Sequence, residues 1–209
     1  MTSPWTFAVW RIDLIGSLPT GKGGVKYAIV AVDYFTKWAE DEPLASITVK
    51  KSLDFVIKNI VCRYGLPRKI VSDNGTQFES DEFTCFCKKN GIIKSFSSLA
   101  RPQGNGQVEA VNKTLKASMK KRLEEAKGRC PKELPNVLWS YRMTARTLTG
   151  HTPFALAYRC EAMLPVEVEV PTRRREAYDQ DVNHGLLEES LDLIEETRRN
   201  SQIINVAYQ

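Results

Sequence analysis

The sequence predicts an α/β domain, a mixed β-sheet flanked by helices, and three observations lead there. The run from Tyr27 to Val32 is almost unbroken in apolar residues, as in a strand covered on both faces. Between Lys50 and Tyr64 the apolar residues Leu53, Val56, Ile57, Ile60 and Tyr64 recur at helical spacing. Around these two segments the chain reads strand, strand, helix, strand, helix, strand, an order that suits a sheet with helices packed on it.

In sequence, "WRIDLIGSLP" reads as the first strand, "TGKGG" as a glycine-rich turn and "VKYAIVAVDYFTKWAE" as the second strand. The helix from Lys50 stops at Gly65 and Pro67, the usual helix-ending residues. "RKIVSDNG" is a short strand running into a turn; a short helix with Phe83 and Phe86 follows, closed by Asn90 and Gly91, and "IIKSFSS" is the next strand. Beyond Gly104 the pattern becomes helical, with one helix from Gly106 to Lys127 and a second from Pro131 to Arg146. Leu134, Val137, Leu138 and Tyr141 form the buried stripe of the second, and "TPFALAYR" opens a third. The expected division is a core domain at residues 1–165, a linker at 166–175 holding a proline and a charge run, and an acidic helical extension at 176–209 leading towards a further domain.

Composition narrows the function classes. At 42% hydrophobic residues the chain can bury one good core and is not compositionally disordered. Residues 163–209 hold five Lys/Arg and ten Asp/Glu, which leaves 25 against 15, a net of +10, on residues 1–162. A basic body suggests a polyanionic partner, most simply nucleic acid. The five cysteines, at 62, 85, 87, 130 and 160, fit a reducing compartment. Cys85 and Cys87 have the wrong spacing for a zinc knuckle, and His151 and His184 stand far from any cysteine pair, so no zinc site is expected. With no apolar run long enough to cross a bilayer, no membrane partner is expected either.

Three carboxylates occupy awkward places. Asp13 interrupts the apolar strand "RIDLIG", where aspartate is disfavoured. Asp73 ends "KIVS" and begins "DNG", which an Asx turn alone would explain. Glu109 lies in the first turn of a helix, where a negative charge suits the helix dipole. Singly, each has an ordinary explanation. Together they form an ordered series: Asp13 in "WRID", Asp73 in "SDNGTQF", and Glu109 in "NGQVEAVNKTLK" with thirty-five residues between the last two acids. This series resembles the D,D(35)E signature of retroviral and retrotransposon integrases. The resemblance is strongest to the integrases of gypsy-type long-terminal-repeat retrotransposons, and extends from about Trp5 to Pro171 through "VDYFTKW", "RYGLPRKIVSDNGTQF", "LWSYRMTARTLTGHTPF" and "LPVEV".

The resemblance implies an RNase H-like fold with a five-stranded mixed sheet, the first aspartate on its first strand, the second just after its fourth, and the glutamate on the long helix. It implies a polynucleotidyl transferase that processes the 3′ ends of element DNA and joins them to target DNA, with Asp13, Asp73 and Glu109 jointly holding Mg²⁺ or Mn²⁺, two ions by expectation. The chemistry agrees: phosphoryl transfer needs in-line positioning and charge neutralisation, which carboxylate-held hard cations supply. Double-stranded DNA and further copies of the chain are the partners implied, with a nuclear location following from the substrate. Two rival classes remain, an RNase H-type nuclease and a catalytically silent nucleic-acid-binding protein.

The helix carrying Glu109 adds a second feature. At roughly 100° per residue, Glu109, Asn112, Lys113, Lys116 and Lys120 fall within one arc, and Val108, Val111, Leu115 and Met119 lie beside it. The acid would meet metal while the lysines meet flanking phosphates; in similar integrases lysines at the positions of Lys113 and Lys116 contact the DNA end. Gly104 and Gly106 give the preceding loop freedom to reshape, with Asn105 and Gln107 as polar contacts. Arg101 stands where the family usually has histidine, which keeps a charge and loses an imidazole. Arg63, Arg68 and Lys69 are expected to add to the phosphate-binding field. Trp139, Tyr141 and Arg142 read as packing residues.

Overall fold

The computed structural model describes residues 3–96, 121, 130–146 and 149–164, and beyond them 179, 185, 189, 193, 196–201 and 203–204. Its centre is a five-stranded mixed sheet in the order β3-β2-β1-β4-β5. The strands are β1 (Val9–Ile15), β2 (Tyr27–Asp33), β3 (Ala39–Leu44), β4 (Lys69–Ser72) and β5 (Ile93–Phe96). β1 to β3 form an antiparallel meander, whereas β4 runs parallel to β1 and β5 parallel to β4. The expected mixed sheet flanked by helices is therefore present.

The segment read as one long second strand is two strands. The chain reverses between Asp33 and Ala39, and Asp33 makes the reversal: its Oδ2 accepts from the Thr36 N–H and from Thr36 Oγ1, both at 2.8 Å. Lys37 takes a positive φ of 61° there, and its Nζ donates to the Tyr34 carbonyl at 2.7 Å. A turn built from a buried aspartate and a left-handed lysine lacks the glycine or proline that flags most turns.

Between β3 and β4 the expected helix is continuous, from α1 (Val49–Phe55) through a wider-wound stretch (Val56–Val61) to α2 (Cys62–Tyr64). Thr48 Oγ1 caps its start by accepting from the Lys51 N–H at 3.3 Å, and Gly65, at φ 85°, ends it. α3 (Thr76–Glu79) and α4 (Asp81–Lys89) join β4 to β5. The buried pair of α4 is Phe83 with Cys87, one helical turn apart; Phe86, named with Phe83 from the sequence, is only partly buried. α5 (Cys130–Met143) carries the stripe Leu134, Val137, Leu138 and Tyr141, which packs on Ile15, Ala28, Val30 and Val32 of β1 and β2. On the opposite face, the Trp10 ring lies 5.3 Å from that of Tyr64 in α2.

The chain divides into two compact units, Met1–Arg142 with Gln209 and Met143–Tyr208. In the second, α6 (Pro153–Tyr158) opens with Thr152 Oγ1 accepting from the Ala155 N–H at 3.0 Å, and the Ser201 hydroxyl donates to the Thr149 carbonyl at 3.3 Å. Among the described residues no helix is long and apolar enough to cross a membrane.

Candidate active site

Side chains alternate along β1, so Arg11, Asp13 and Ile15 share one face. That face is the one α5 covers, because Asp13 stands opposite Val30 and Ile15 opposite Ala28. In the parallel ladder to β4, Arg11 faces Val71 and Ile12 faces Ser72. The ladder ends there, and Asp13 and Asp73 are the residues that directly follow its last pair. Parallel neighbours lie about 4.8 Å apart, close enough for two carboxylates to share an ion.

Local chemistry holds both acids. Asp73 Oδ1 accepts from the Gly75 N–H at 3.1 Å, the Asx turn expected of Asp-Asn-Gly. A Cβ on Gly75 would lie 2.2 Å from Nε2 of the buried Gln77, so a larger residue here must displace that amide. Asp13 Oδ2 accepts from Arg11 Nε at 2.9 Å, with side-chain exposures of 17% and 15%. Burial works against the Arg11 cation, but Asp13 and then Tyr34, both hydrogen-bonded to it, more than offset this and raise its pKa above the ordinary value. Among the described residues, Asp13 Oδ1 and Asp73 Oδ2 accept no hydrogen bond, leaving one hard oxygen on each acid for a cation. The donor set fits Mg²⁺ or Mn²⁺, the ions expected from the sequence.

Glu109, the third acid, lies outside the described residues, as do Arg101, Asn105, Gln107, Asn112, Lys113, Lys116 and Lys120. Among the described residues no three His, Cys, Asp or Glu side chains come together. Two of the three basic residues assigned to the phosphate field are placed elsewhere. Arg68 and Lys69 stand at the start of β4, at the far end of the strand from Asp73. Arg63 commits its NH1 to Glu40 Oε2 at 2.7 Å. Trp139 is half-exposed, while Tyr141 is core and Arg142 donates from Nε and NH2 to the Ala39 carbonyl.

Sequence reading missed Arg11, Tyr34 and Gln77. Arg11 could have been found from its place two residues before an aspartate on a strand, where the two side chains necessarily share a face. Tyr34 and Gln77 carried no comparable signal.

Comparison with known proteins bears on the fold and on the family this chain resembles. Residues 6–102 match the family described as the integrase core domain. The chain is 35% identical over 149 residues to the Gag-Pol polyprotein of avian reticuloendotheliosis virus, covering 71% of this chain and 13% of the polyprotein. It thus spans a small part of that relative. Two solved structures share its fold at 21% identity. The simian T-cell lymphotropic virus intasome, in complex with PP2A regulatory subunit B56 gamma, superposes with a TM-score of 0.61 over 79% of this chain and 58% of its own. The HTLV-2 integrase catalytic core domain, in complex with magnesium and in a trimeric form, gives 0.55 over 73% and 97%. Over residues 6–102 this chain is similar in sequence to the integrase core domain, and its five-stranded sheet has the RNase H-like fold of retroviral integrase catalytic cores.

Proposed function

We propose that the chain is the catalytic core of a retrotransposon integrase of the gypsy type, a polynucleotidyl transferase that trims the 3′ ends of element DNA and joins them to target DNA. The observation that carries this reading is the parallel β1–β4 register, whose last pair immediately precedes Asp13 and Asp73, in a chain that matches the integrase core domain across both. Asp13, Asp73 and Glu109 hold the divalent ions, which supply Lewis-acid activation of the attacking oxygen and charge neutralisation at the phosphate. Asp13 is anchored on a central strand and Asp73 by its turn, so both oxygens are positioned before substrate arrives. Lys113, Lys116 and Lys120, with Asn112, Gln107, Asn105 and Arg101, take the DNA backbone beside the cut. The named complexes of the structural neighbours, an intasome and a magnesium-bound trimer, support Mg²⁺ and self-association for this chain, while duplex DNA and a nuclear site of action follow from the proposed reaction.

Labelled oligonucleotides carrying the element's terminal sequence, incubated with the protein and Mg²⁺ or Mn²⁺, test the reading. Shortened and joined products are expected, and Glu109→Gln is expected to lose both while keeping the wild-type circular-dichroism spectrum. Undiminished joining by that variant would falsify the assignment, and cleavage of an RNA–DNA hybrid without any joining would identify a nuclease instead.

A further inference from the structure

One polar contact in the site belongs to neither the fold nor the reaction as set out above. Arg11 and Asp13 are largely withdrawn from water and joined at 2.9 Å, at the end of the β1–β4 ladder. A strand residue whose only task was structural could have been apolar here, since its neighbours across the sheet, Val32 and Val71, are both valine. Tyr34, itself buried, is hydrogen-bonded to the guanidinium as well.

We propose that Arg11 is a charge placeholder for the divalent ion: it neutralises Asp13 in the empty site and competes with the ion for that carboxylate. Without it, two neighbouring aspartates would face each other uncompensated before metal arrives. With it, the cost of assembling the acids is met by a charge of the chain's own, and the ion must displace or repel a fixed cation to bind. Loading is thereby weak in the free protein. It strengthens when a phosphodiester enters, because the anionic phosphate attracts the ion and offers the displaced guanidinium a bidentate partner. Arg11 is a positioning residue that acts through Asp13.

The inference rests on the metal-dependent reading, and ion binding separates the two. Mn²⁺ affinity is measured calorimetrically on the DNA-free full chain, its Arg11→Met, Arg11→Lys and Asp13→Asn variants. Arg11→Met is expected to bind Mn²⁺ about tenfold more tightly, since a fixed cation within a few ångströms of the ion is gone, and Arg11→Lys to stay within about threefold of the wild type because it keeps the charge. Affinity unchanged or weakened in Arg11→Met, or no measurable binding in either protein, overturns the placeholder. If in that case Asp13→Asn still loses binding, the metal site stands and only the role of Arg11 falls; if Asp13→Asn binds as the wild type does, both fall. A measurement on the wild type guards against a variant that fails to fold. The Arg11 Nε–Hε resonance is expected to shift on Mg²⁺ titration, and a resonance indifferent to saturating Mg²⁺ overturns the proposal.

Discussion

A single side chain in this molecule can be costly for opposite reasons. Asp13 and Asp73 are part-buried acids with one oxygen each engaged, and their value lies in what they are proposed to hold. Asp73→Asn is expected to lower strand joining by about 10²–10³-fold or more with little change in melting temperature, because asparagine can still accept from the Gly75 N–H; a gel assay alongside a thermal melt reads both. Asp41 is the reverse case. It sits on β3 largely out of water, its Oδ2 has no hydrogen-bond partner, and burial pushes its pKa up to about 7, Arg142 pulling it down and Glu40 and Glu42 adding to the rise. The folded state then binds a proton that the unfolded chain, with an ordinary carboxyl, has already released. Stability from this group is full below about pH 4 and is lost as pH rises through about 7. Asp33, raised to about 6 by burial, contributes in the same direction. Asp41→Asn is expected to flatten the decline between pH 4 and 7 and to stabilise the protein by roughly 2–4 kcal/mol at pH 8. Urea unfolding across that range measures it, and a slope identical to wild type would refute the buried-acid account.

Among elements, the turn after β4 ties fold to chemistry most tightly. Its Asp73 is fixed by the Gly75 N–H, and Gly75 in turn lies under the Gln77 amide. Gly75→Ala must push that amide aside or move the turn. Joining activity is expected to fall about ten- to a hundredfold while the melting temperature moves by only a few degrees, since the adjoining strand keeps its ladder to β1. This turn was legible in the sequence because Asp-Asn-Gly spells its own geometry. The β2–β3 reversal was not, and the contrast is physical. Its bend depends on a hydrogen bond from a residue three positions on and on a lysine in the left-handed region, while β3 itself reads "AEDEPL", three acids and a proline that strand propensity disfavours. Periodicity found the helices from Lys50 and Pro131 because apolar spacing is a property of one element. The relation of Asp13 to Asp73 belongs to two segments far apart in the chain, and in the sequence only the family resemblance linked them.

Across the whole sheet, what binds the two helical layers at its open edge is one acid that periodicity could not reveal. Glu40 on β3 is 3% exposed. Its Oε1 accepts from Trp38 Nε1 at 2.8 Å and from the Tyr64 hydroxyl, and its Oε2 meets Arg63 NH1 at 2.7 Å and Arg142 NH2 at 3.0 Å. Tyr64 and Arg63 come from α2, Arg142 from α5, and the Arg142 guanidinium also lies 4.1 Å from the centre of the Trp38 ring. By taking the Ala39 carbonyl as well, Arg142 occupies part of an edge strand that would otherwise offer hydrogen bonds to another sheet. Removing the acid leaves the Arg142 cation without its carboxylate, so Glu40→Ala is expected to cost about 3–5 kcal/mol, a fall of roughly 6–20 °C in melting temperature for a domain of this size. Arg63→Ala should cost far less, because that side chain is 44% exposed and water screens its loss. Glu40 lies on an edge strand, with β2 and β1 between it and the strand that leads into Asp73, so the Glu40→Ala protein should join DNA normally when assayed below its lowered melting temperature. Loss of joining there, with the fold intact by circular dichroism, would mean that the sheet edge and the carboxylate pair are coupled rather than independent.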